Sequence, residues 1–135
     1  MAAPGPARLT DDQIALLREP VLAHVATVMP DGSPQITPVW VDTDGEAILI
    51  NTARGRVKHR NILRDPRVAV SLTARDDDHR TVVVRGRAEL VDEGAEDHID
   101  RLAKKYTGQD RYPWRTPDMR RVTIRIVPEH VVQTG

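Results

Sequence analysis

The sequence predicts a mainly β (α+β) domain, an antiparallel β-barrel of six strands with short peripheral helices. Segments rich in Val and Ile recur along the chain, with turn-forming Pro, Asp and Gly between them. Strands and long helices do not alternate, as the crossovers of a parallel sheet would require. Phe is absent and aromatic residues make up 3% of the chain, so aliphatic side chains must supply the core. That composition favours strands.

Length and composition indicate one domain and exclude several functions. The chain has 135 residues, with 20 Lys+Arg against 20 Asp+Glu and no Cys. A net charge of zero argues against general binding to nucleic acids or anionic membranes. The absence of Cys excludes disulfides, thiol catalysis and iron–sulfur clusters. We expect a cytoplasmic protein, because no apolar run suits a signal peptide or a membrane span. Its single domain covers residues 9–135, after a disordered N-terminus at 1–8.

The first predicted element is a helix over residues 11–19. Thr10 and Gln13 stand three residues apart, the spacing of a capping box, and Pro20 ends the helix. Two further helices are predicted over residues 56–64 and 93–106, the second with an apolar face at helical spacing.

Six strands account for the remaining regular structure. They are predicted at residues 21–28, 35–41, 46–52, 67–74, 81–91 and 120–132. Pro, Asp and Gly turns separate the first three strands, so these should form an antiparallel meander. Gly86 lies in the middle of the fifth strand and predicts a bulge or bend there.

A basic segment at residues 54–64 is the most informative feature for function. It contains four Arg, one Lys and one His and no acidic residue. Gly55 permits a tight turn from the preceding strand into the following helix, whose first amides attract anions. Together with the Arg and Lys side chains, this predicts a seat for a phosphate or polycarboxylate. The alternatives are a solvated basic helix face and a nucleic-acid patch, which the lack of interleaved aromatic residues disfavours.

Other site types find little support in the sequence. The five His residues are scattered without metal-ligand spacing, so we predict no metal site. Neither Ser33 nor Ser71 lies in a nucleophile elbow, and no Gly-rich dinucleotide motif opens a helix. Trp40 and Trp114 either pack under loops and interfaces or form a wall of a binding site.

Four segments carry a resemblance to a known family. They are LTDDQIALLREPVLAHVATVMPDGSPQITPVWVD, ILINTARGRVKHRNILRDPRVAVSL, VRGRAELVD and HIDRLAKKYTG. Over residues 9–132 the chain resembles the split-barrel flavin and deazaflavin superfamily related to pyridoxamine 5′-phosphate oxidase. The excess of Arg over Lys and the missing Phe look most like its actinobacterial branch, which uses coenzyme F-420. The resemblance implies a split β-barrel homodimer with cofactor sites at the interface, and FMN as the alternative cofactor.

The resemblance also implies cofactor-binding residues, position by position. The strand along the ring system corresponds to Gln35, Thr37, Pro38, Val39 and Trp40. The positions beside the ribityl chain and phosphate correspond to Asn51 and Thr52. The basic turn that binds the phosphate corresponds to Arg56, Lys58, Arg60 and Asn61. The second chain would contribute the loop near 76–81 or the C-terminal loop.

The implied activity is hydride transfer from the reduced deazaflavin to a small unsaturated or conjugated organic substrate. No catalytic acid or base is identified. The alternatives are an FMN-binding protein similar to pyridoxamine 5′-phosphate oxidase and a non-catalytic flavin- or deazaflavin-binding protein. Oxidation of pyridoxamine 5′-phosphate is not expected, because the Arg- and Trp-rich segment that binds that substrate's phosphate is missing.

Overall fold

The computed structural model describes residues 7–134, so residues 1–6 of the predicted disordered N-terminus lie outside the described residues. The described elements, in chain order, are α1 (Asp11–Arg18), β1 (Ala23–Val28), β2 (Pro34–Val39), β3 (Asp42–Thr43), β4 (Ile48–Ala53), α2 (Val57–Arg64), β5 (Arg67–Thr73), β6 (Thr81–Val91), α3 (Ala95–Thr107) and β7 (Arg121–Thr134). No helix among them is long and apolar enough to cross a membrane.

All seven strands form one antiparallel sheet in the order β2-β1-β5-β6-β7-β4-β3. Its two edges, β2 and β3, are consecutive in the chain, with two residues between Val39 and Asp42. Because three residue steps span at most about 11 Å, the edges must approach each other at this point. The sheet therefore curls into a half-barrel, and the predicted split-barrel fold is confirmed.

The strand count differs from the prediction by the short strand β3. We predicted a turn over the segment 42–45, but Asp42 and Thr43 pair with Leu49 and Ile48. The turn instead spans residues 44–47, where the Asp44 carboxylate accepts the amides of Glu46 and Ala47. The Thr43 hydroxyl also donates to the Ala47 carbonyl across the turn. These contacts leave Asp42 and Thr43 free to pair, which gives seven strands instead of six.

Strands β4 and β7 are covered on both faces, and this positions the site. Alternate residues of both strands point into the barrel core, among them Ile50 and Ile124. The opposite face lies under α3, whose Ile99 and Leu102 are buried. Side chains on that second face, including Asn51, are therefore held between the sheet and a helix.

Two local predictions are confirmed. The Gln13 amide donates to the Thr10 hydroxyl at 3.2 Å, and the Thr10 amide donates to the Gln13 side chain at 2.8 Å, which completes the capping box. The β6–β7 pairing shifts register between Arg85 and Gly86. Gly86 is thus the site of the predicted bulge.

Two residues near the end of α3 hold the chain where the sheet edges meet. The Tyr106 hydroxyl donates to the Val21 carbonyl at 2.6 Å and accepts the Val41 amide at 2.9 Å. The Lys105 ammonium donates to the carbonyls of Leu17 and Val41, both at 2.6 Å. Burial lowers the pKa of Lys105 and raises the pKa of Tyr106 to about 12. Tyr106 is therefore a protonated donor at neutral pH.

Tyr106→Phe is expected to lower the free energy of unfolding by about 1–3 kcal/mol, because it leaves the Val41 amide without its partner. Urea denaturation of the wild type and the variant measures the loss. Tyr112→Phe is the matched control, because the Tyr112 hydroxyl makes no hydrogen bond within residues 7–134. Equal stability of the two variants would contradict the role of Tyr106.

Candidate cofactor-binding cavity

A cavity of about 330 Å³ lies where β2 ends, α2 begins and α3 crosses the sheet. Its apolar and aromatic lining residues are Leu22, Pro38, Val39, Trp40, Ile99, Leu102, Tyr112 and Trp114. Its polar lining residues are Asn51, Arg56, Lys58 and Arg121. We call it the cationic–aromatic cavity, because three cationic side chains face a lining that includes three aromatic rings.

The turn from β4 into α2 supplies two of the cations. Gly55 adopts a φ of 88°, a left-handed conformation that favours glycine and reverses the chain tightly. Arg56 is the N-cap of α2 and makes no side-chain cap, and Lys58 lies in the first helical turn. Burial, followed by the charges of Arg56 and Arg121, lowers the pKa of Lys58. Neither Arg56 nor Lys58 forms an ion pair within the described part of the chain.

Arg121, the third cation, comes from the first residue of β7. Its residue exposure is only 7%, and its guanidinium carbon lies 4.5 Å from the centre of the Tyr112 ring. Nη1 lies 3.5 Å from the Asn51 side-chain oxygen, whereas Nη2 is buried without a hydrogen-bond partner among the described residues. A buried donor of this kind is costly, and an anion in the cavity would satisfy it.

The sequence analysis did not identify Arg121 as a functional residue. The signal was the alternation in β7, which puts Val122 and Ile124 in the core and therefore turns Arg121 and Thr123 to the opposite face. Helix α3 covers that face of β7, and this places Arg121 in the site. The sequence pattern alone did not show which helix would cover it.

The aromatic wall of the cavity consists of Trp40, Tyr112 and Trp114, and Tyr106 supports it from outside the lining. Trp40 stacks on Tyr106 with ring centres 5.2 Å apart and an interplanar angle of 13°. Tyr112 meets Trp40 and Trp114 edge-on, at 6.3 and 5.5 Å. Trp114 is 60% exposed, so one large ring is available at the cavity mouth. Trp40 thus packs on a residue of α3 and also lines the cavity.

The loop that carries Tyr112 and Trp114 is attached to α3 through Asp100. The Asp100 carboxylate accepts the Tyr112 amide and an Arg115 guanidinium N–H, each at 2.8 Å. Glu96 adds a second ion pair to Arg115 at 3.5 Å. The position of the aromatic wall is therefore coupled to the helix that covers the sheet.

Six of the eleven cofactor-binding residues implied by the resemblance line this cavity. They are Pro38, Val39, Trp40, Asn51, Arg56 and Lys58. Arg60 lies outside the lining, exposed on α2. Thr52 follows Asn51 in β4, so its side chain points to the opposite face of the strand, and its hydroxyl is buried without a described partner.

The remaining three of the eleven, Gln35 and Thr37 on β2 and Asn61 on α2 against β1, lie outside the cavity lining. The Thr27 hydroxyl donates to the Gln35 side chain at 3.1 Å and accepts from the Asn61 amide at 2.9 Å. Asn61 also accepts an Arg64 guanidinium N–H at 2.9 Å. Gln35 and Asn61 thus tie α2 to the first two strands. The Thr37 hydroxyl is buried with no partner in residues 7–134.

Within the described residues, no group of three or more His, Asp or Glu side chains could hold a metal ion. His59 is buried in α2 and accepts the Gly55 amide at 3.0 Å, so it stabilises the turn that carries Arg56 and Lys58. Its pKa is lowered, first by burial.

Known proteins resemble this chain in sequence and structure. A solved F-420 reductase is 31% identical, with a TM-score of 0.79, and the match covers 92% of this chain and 98% of that one. A conserved hypothetical protein from Mycobacterium tuberculosis is 26% identical, with a TM-score of 0.73 and coverage of 100% and 88%. General stress protein 26 from Bacillus anthracis shares the fold at 17% identity, with a TM-score of 0.71 and coverage of 92% for both chains.

The family comparison agrees with this structural similarity. The sequence profile described as pyridoxamine 5′-phosphate oxidase matches residues 9–135, nearly the whole chain. The curled antiparallel sheet fits that fold. The chain therefore belongs to the pyridoxamine 5′-phosphate oxidase family, a family of flavin-binding split barrels that includes oxidoreductases.

Proposed function

We propose that the protein is a coenzyme F-420-dependent reductase that transfers a hydride to a small unsaturated or conjugated organic substrate. The observation that carries this proposal is the set of three cations, Arg56, Lys58 and Arg121, beside an aromatic wall. The coenzyme combines a planar conjugated ring with a phosphodiester and an oligoglutamate tail. Its ring matches the aromatic lining and its anionic part matches the cations. The similarity to an F-420 reductase supports the same assignment.

The cavity residues divide into two groups by their chemistry. Pro38, Val39 and Trp40 would lie along the ring, and Asn51 would hydrogen-bond to the ribityl chain. Arg56 and Lys58 would bind the phosphate together with the first amides of α2. Arg60 lies one turn further along the exposed face of α2, where a glutamate tail that leaves the cavity would meet it.

The chemistry of the step divides between the coenzyme and the protein. When bound, the reduced deazaflavin supplies the hydride. The protein would hold the ring against the aromatic side chains of the cavity and orient it toward the substrate. No carboxylate or imidazole lines the cavity within residues 7–134, so we assign the proton that completes the reduction to solvent.

FMN is the second candidate cofactor, because the family binds flavins. FMN carries one terminal phosphate and no acidic tail. Its phosphate would bind at the turn from β4 into α2. With only that one anionic group, FMN would neutralise less of the positive charge of Arg56, Lys58 and Arg121. A non-catalytic protein that stores either cofactor would use the same contacts, and only turnover distinguishes it from an enzyme.

Turnover tests the proposed activity. Reduced coenzyme F-420 is mixed with the protein and a panel of α,β-unsaturated carbonyl compounds, and the return of the oxidised deazaflavin absorbance is followed. We expect protein-dependent reoxidation with at least one compound, and its loss in the Arg56→Ala/Lys58→Ala double variant. Tight binding of the coenzyme without reoxidation by any compound would favour the storage protein.

We also propose that two chains form a homodimer through the outer face of the β1-β5-β6-β7 region. Val83 and Val132 are exposed and paired on β6 and β7, and Ile36 is 64% exposed on the same face of β2. Exposed apolar side chains on one sheet face favour association. Leu22 and Pro38, at the same end of β1 and β2, line the cavity, so a partner chain here would border the cofactor. The loop near 76–81 is the partner segment implied by the resemblance.

Light scattering at micromolar concentration is expected to give about twice the chain mass of 15.1 kDa. Val83→Glu places a charge beside Val132 on this sheet face and should shift the mass toward that of one chain. Leu63→Glu is the control, since Leu63 is 63% exposed on α2, outside this sheet face. A wild-type monomer with full affinity for the coenzyme would refute both the dimer and the shared site.

A further inference from the structure

His98 has no direct place in the cavity but lies directly behind one of its walls. It is 3% exposed in α3 and packs against Asn51 and Thr123, which face each other across β4 and β7. One ring atom, Nδ1, lies 3.2 Å from the Asn51 side-chain nitrogen and 3.3 Å from the Thr123 hydroxyl. An uncharged imidazole can accept at one nitrogen only, so the contacts report the tautomer.

The orientation of the Asn51 amide fixes the role of His98 Nδ1. The same Asn51 nitrogen donates to the Ala95 carbonyl at 2.9 Å, so this end of the amide is the NH₂ group. An NH₂ group only donates, and therefore Nδ1 must accept. The ring is neutral, with its proton on Nε2, which is buried without an acceptor among the described residues, and burial lowers the pKa of His98 to about 4.

The other end of the amide reaches the cavity. With its nitrogen held by Ala95 and His98, Asn51 presents its oxygen to Arg121 Nη1 at 3.5 Å. Arg121 is the buried cation that lies over Tyr112 and leaves Nη2 without a described partner. The contacts thus form one continuous chain from α3, through β4, to the guanidinium at the cavity wall.

We propose that His98 is a positioning residue: its Nδ1 fixes the Asn51 amide, and the amide oxygen in turn holds the Arg121 guanidinium toward an anion in the cavity. Without an acceptor at Nδ1, the Ala95 carbonyl alone holds the Asn51 NH₂ group, so the amide is fixed less firmly. When the amide rotates by half a turn, it presents NH₂ to the guanidinium, and two donors face each other. The inference rests on the proposed function only in taking the cavity ligand to be anionic.

Two substitutions separate positioning from packing. His98→Asn keeps an oxygen acceptor close to the place of Nδ1, whereas His98→Leu keeps an apolar volume and removes the acceptor. Circular dichroism establishes that both variants fold. Titration with coenzyme F-420 should show a dissociation constant about tenfold higher for His98→Leu, and within about twofold of wild type for His98→Asn.

A second readout needs no ligand. The Arg121 side-chain Nε–H resonance, assigned through an Arg121→Lys variant, should shift in His98→Leu and return toward its wild-type position in His98→Asn. Wild-type affinity together with an unmoved resonance in His98→Leu would overturn the inference, as would an equal disturbance in both variants. If the wild type does not bind the coenzyme, the proposed function fails, and the resonance alone decides whether His98 positions Arg121.

Discussion

Gly86→Ala is expected to lower the free energy of unfolding by about 3 kcal/mol, at the upper end of the usual cost of overpacking. A Cβ atom at this position would overlap the Val127 carbonyl oxygen and lie 3.0 Å from the carbonyl carbon. It would also lie 3.2 Å from the Pro128 Cα atom. These are backbone atoms of the paired strand, so no side-chain rotation can relieve the overlap. Strands β6 and β7 would have to separate at the bulge.

Urea denaturation compares this variant with Gly45→Ala. Gly45 has a φ of 95° and no atom within 4 Å of the added Cβ, so its substitution tests backbone strain without a clash. We expect that control to lose only about 1 kcal/mol. If the two variants lose equal stability, the close approach of β7 is not what requires a glycine at position 86.

Arg56→Ala and Lys58→Ala are each expected to weaken coenzyme F-420 binding by about 1.5–3 kcal/mol, the range for a hydrogen bond to a charged group. That is on the order of 10- to 150-fold in the dissociation constant. Both side chains line the same cavity from one helix start and would contact one phosphate. The double variant should therefore lose less than the sum of the two single losses.

The matched control is Arg87→Ala, which removes one positive charge from an exposed position on β6. It should leave the affinity within about twofold of wild type, since screened surface charges contribute little. The cavity variants should unfold at the wild-type urea concentration. Unchanged affinity in both cavity variants would mean that residues 54–64 are only a solvated basic helix face.

Local sequence signals predicted most of the fold. The capping box follows from Thr10 and Gln13, which are three residues apart in the chain. The bulge follows from the missing side chain of Gly86. Strand β3 was missed because its pairing depends on the Asp44 carboxylate, which closes the turn over residues 44–47, two residues later than predicted. Predicted and observed strand ends otherwise differ by at most two residues.

Long-range packing limited the prediction of the site. Asn51 and Thr52 are neighbours in β4, so one faces the cavity and the other the barrel interior, and the choice depends on which face α3 covers. Arg121 enters the site only because β7 places it beside Asn51, 70 residues away in sequence. Tyr106 and Lys105 bind the backbone of Val21 and Val41 where the two sheet edges meet. Those contacts form only once the sheet has curled, so the sequence pattern did not predict them.

A parallel titration of the wild-type protein with oxidised coenzyme F-420 and with FMN tests the central assignment most directly. Trp40 and Trp114 line the cavity, so their fluorescence reports its occupancy. We predict saturable quenching by the deazaflavin with one site per chain, weaker binding at higher salt, and lower affinity for FMN. Tight binding of FMN with no measurable affinity for the deazaflavin would contradict the assignment.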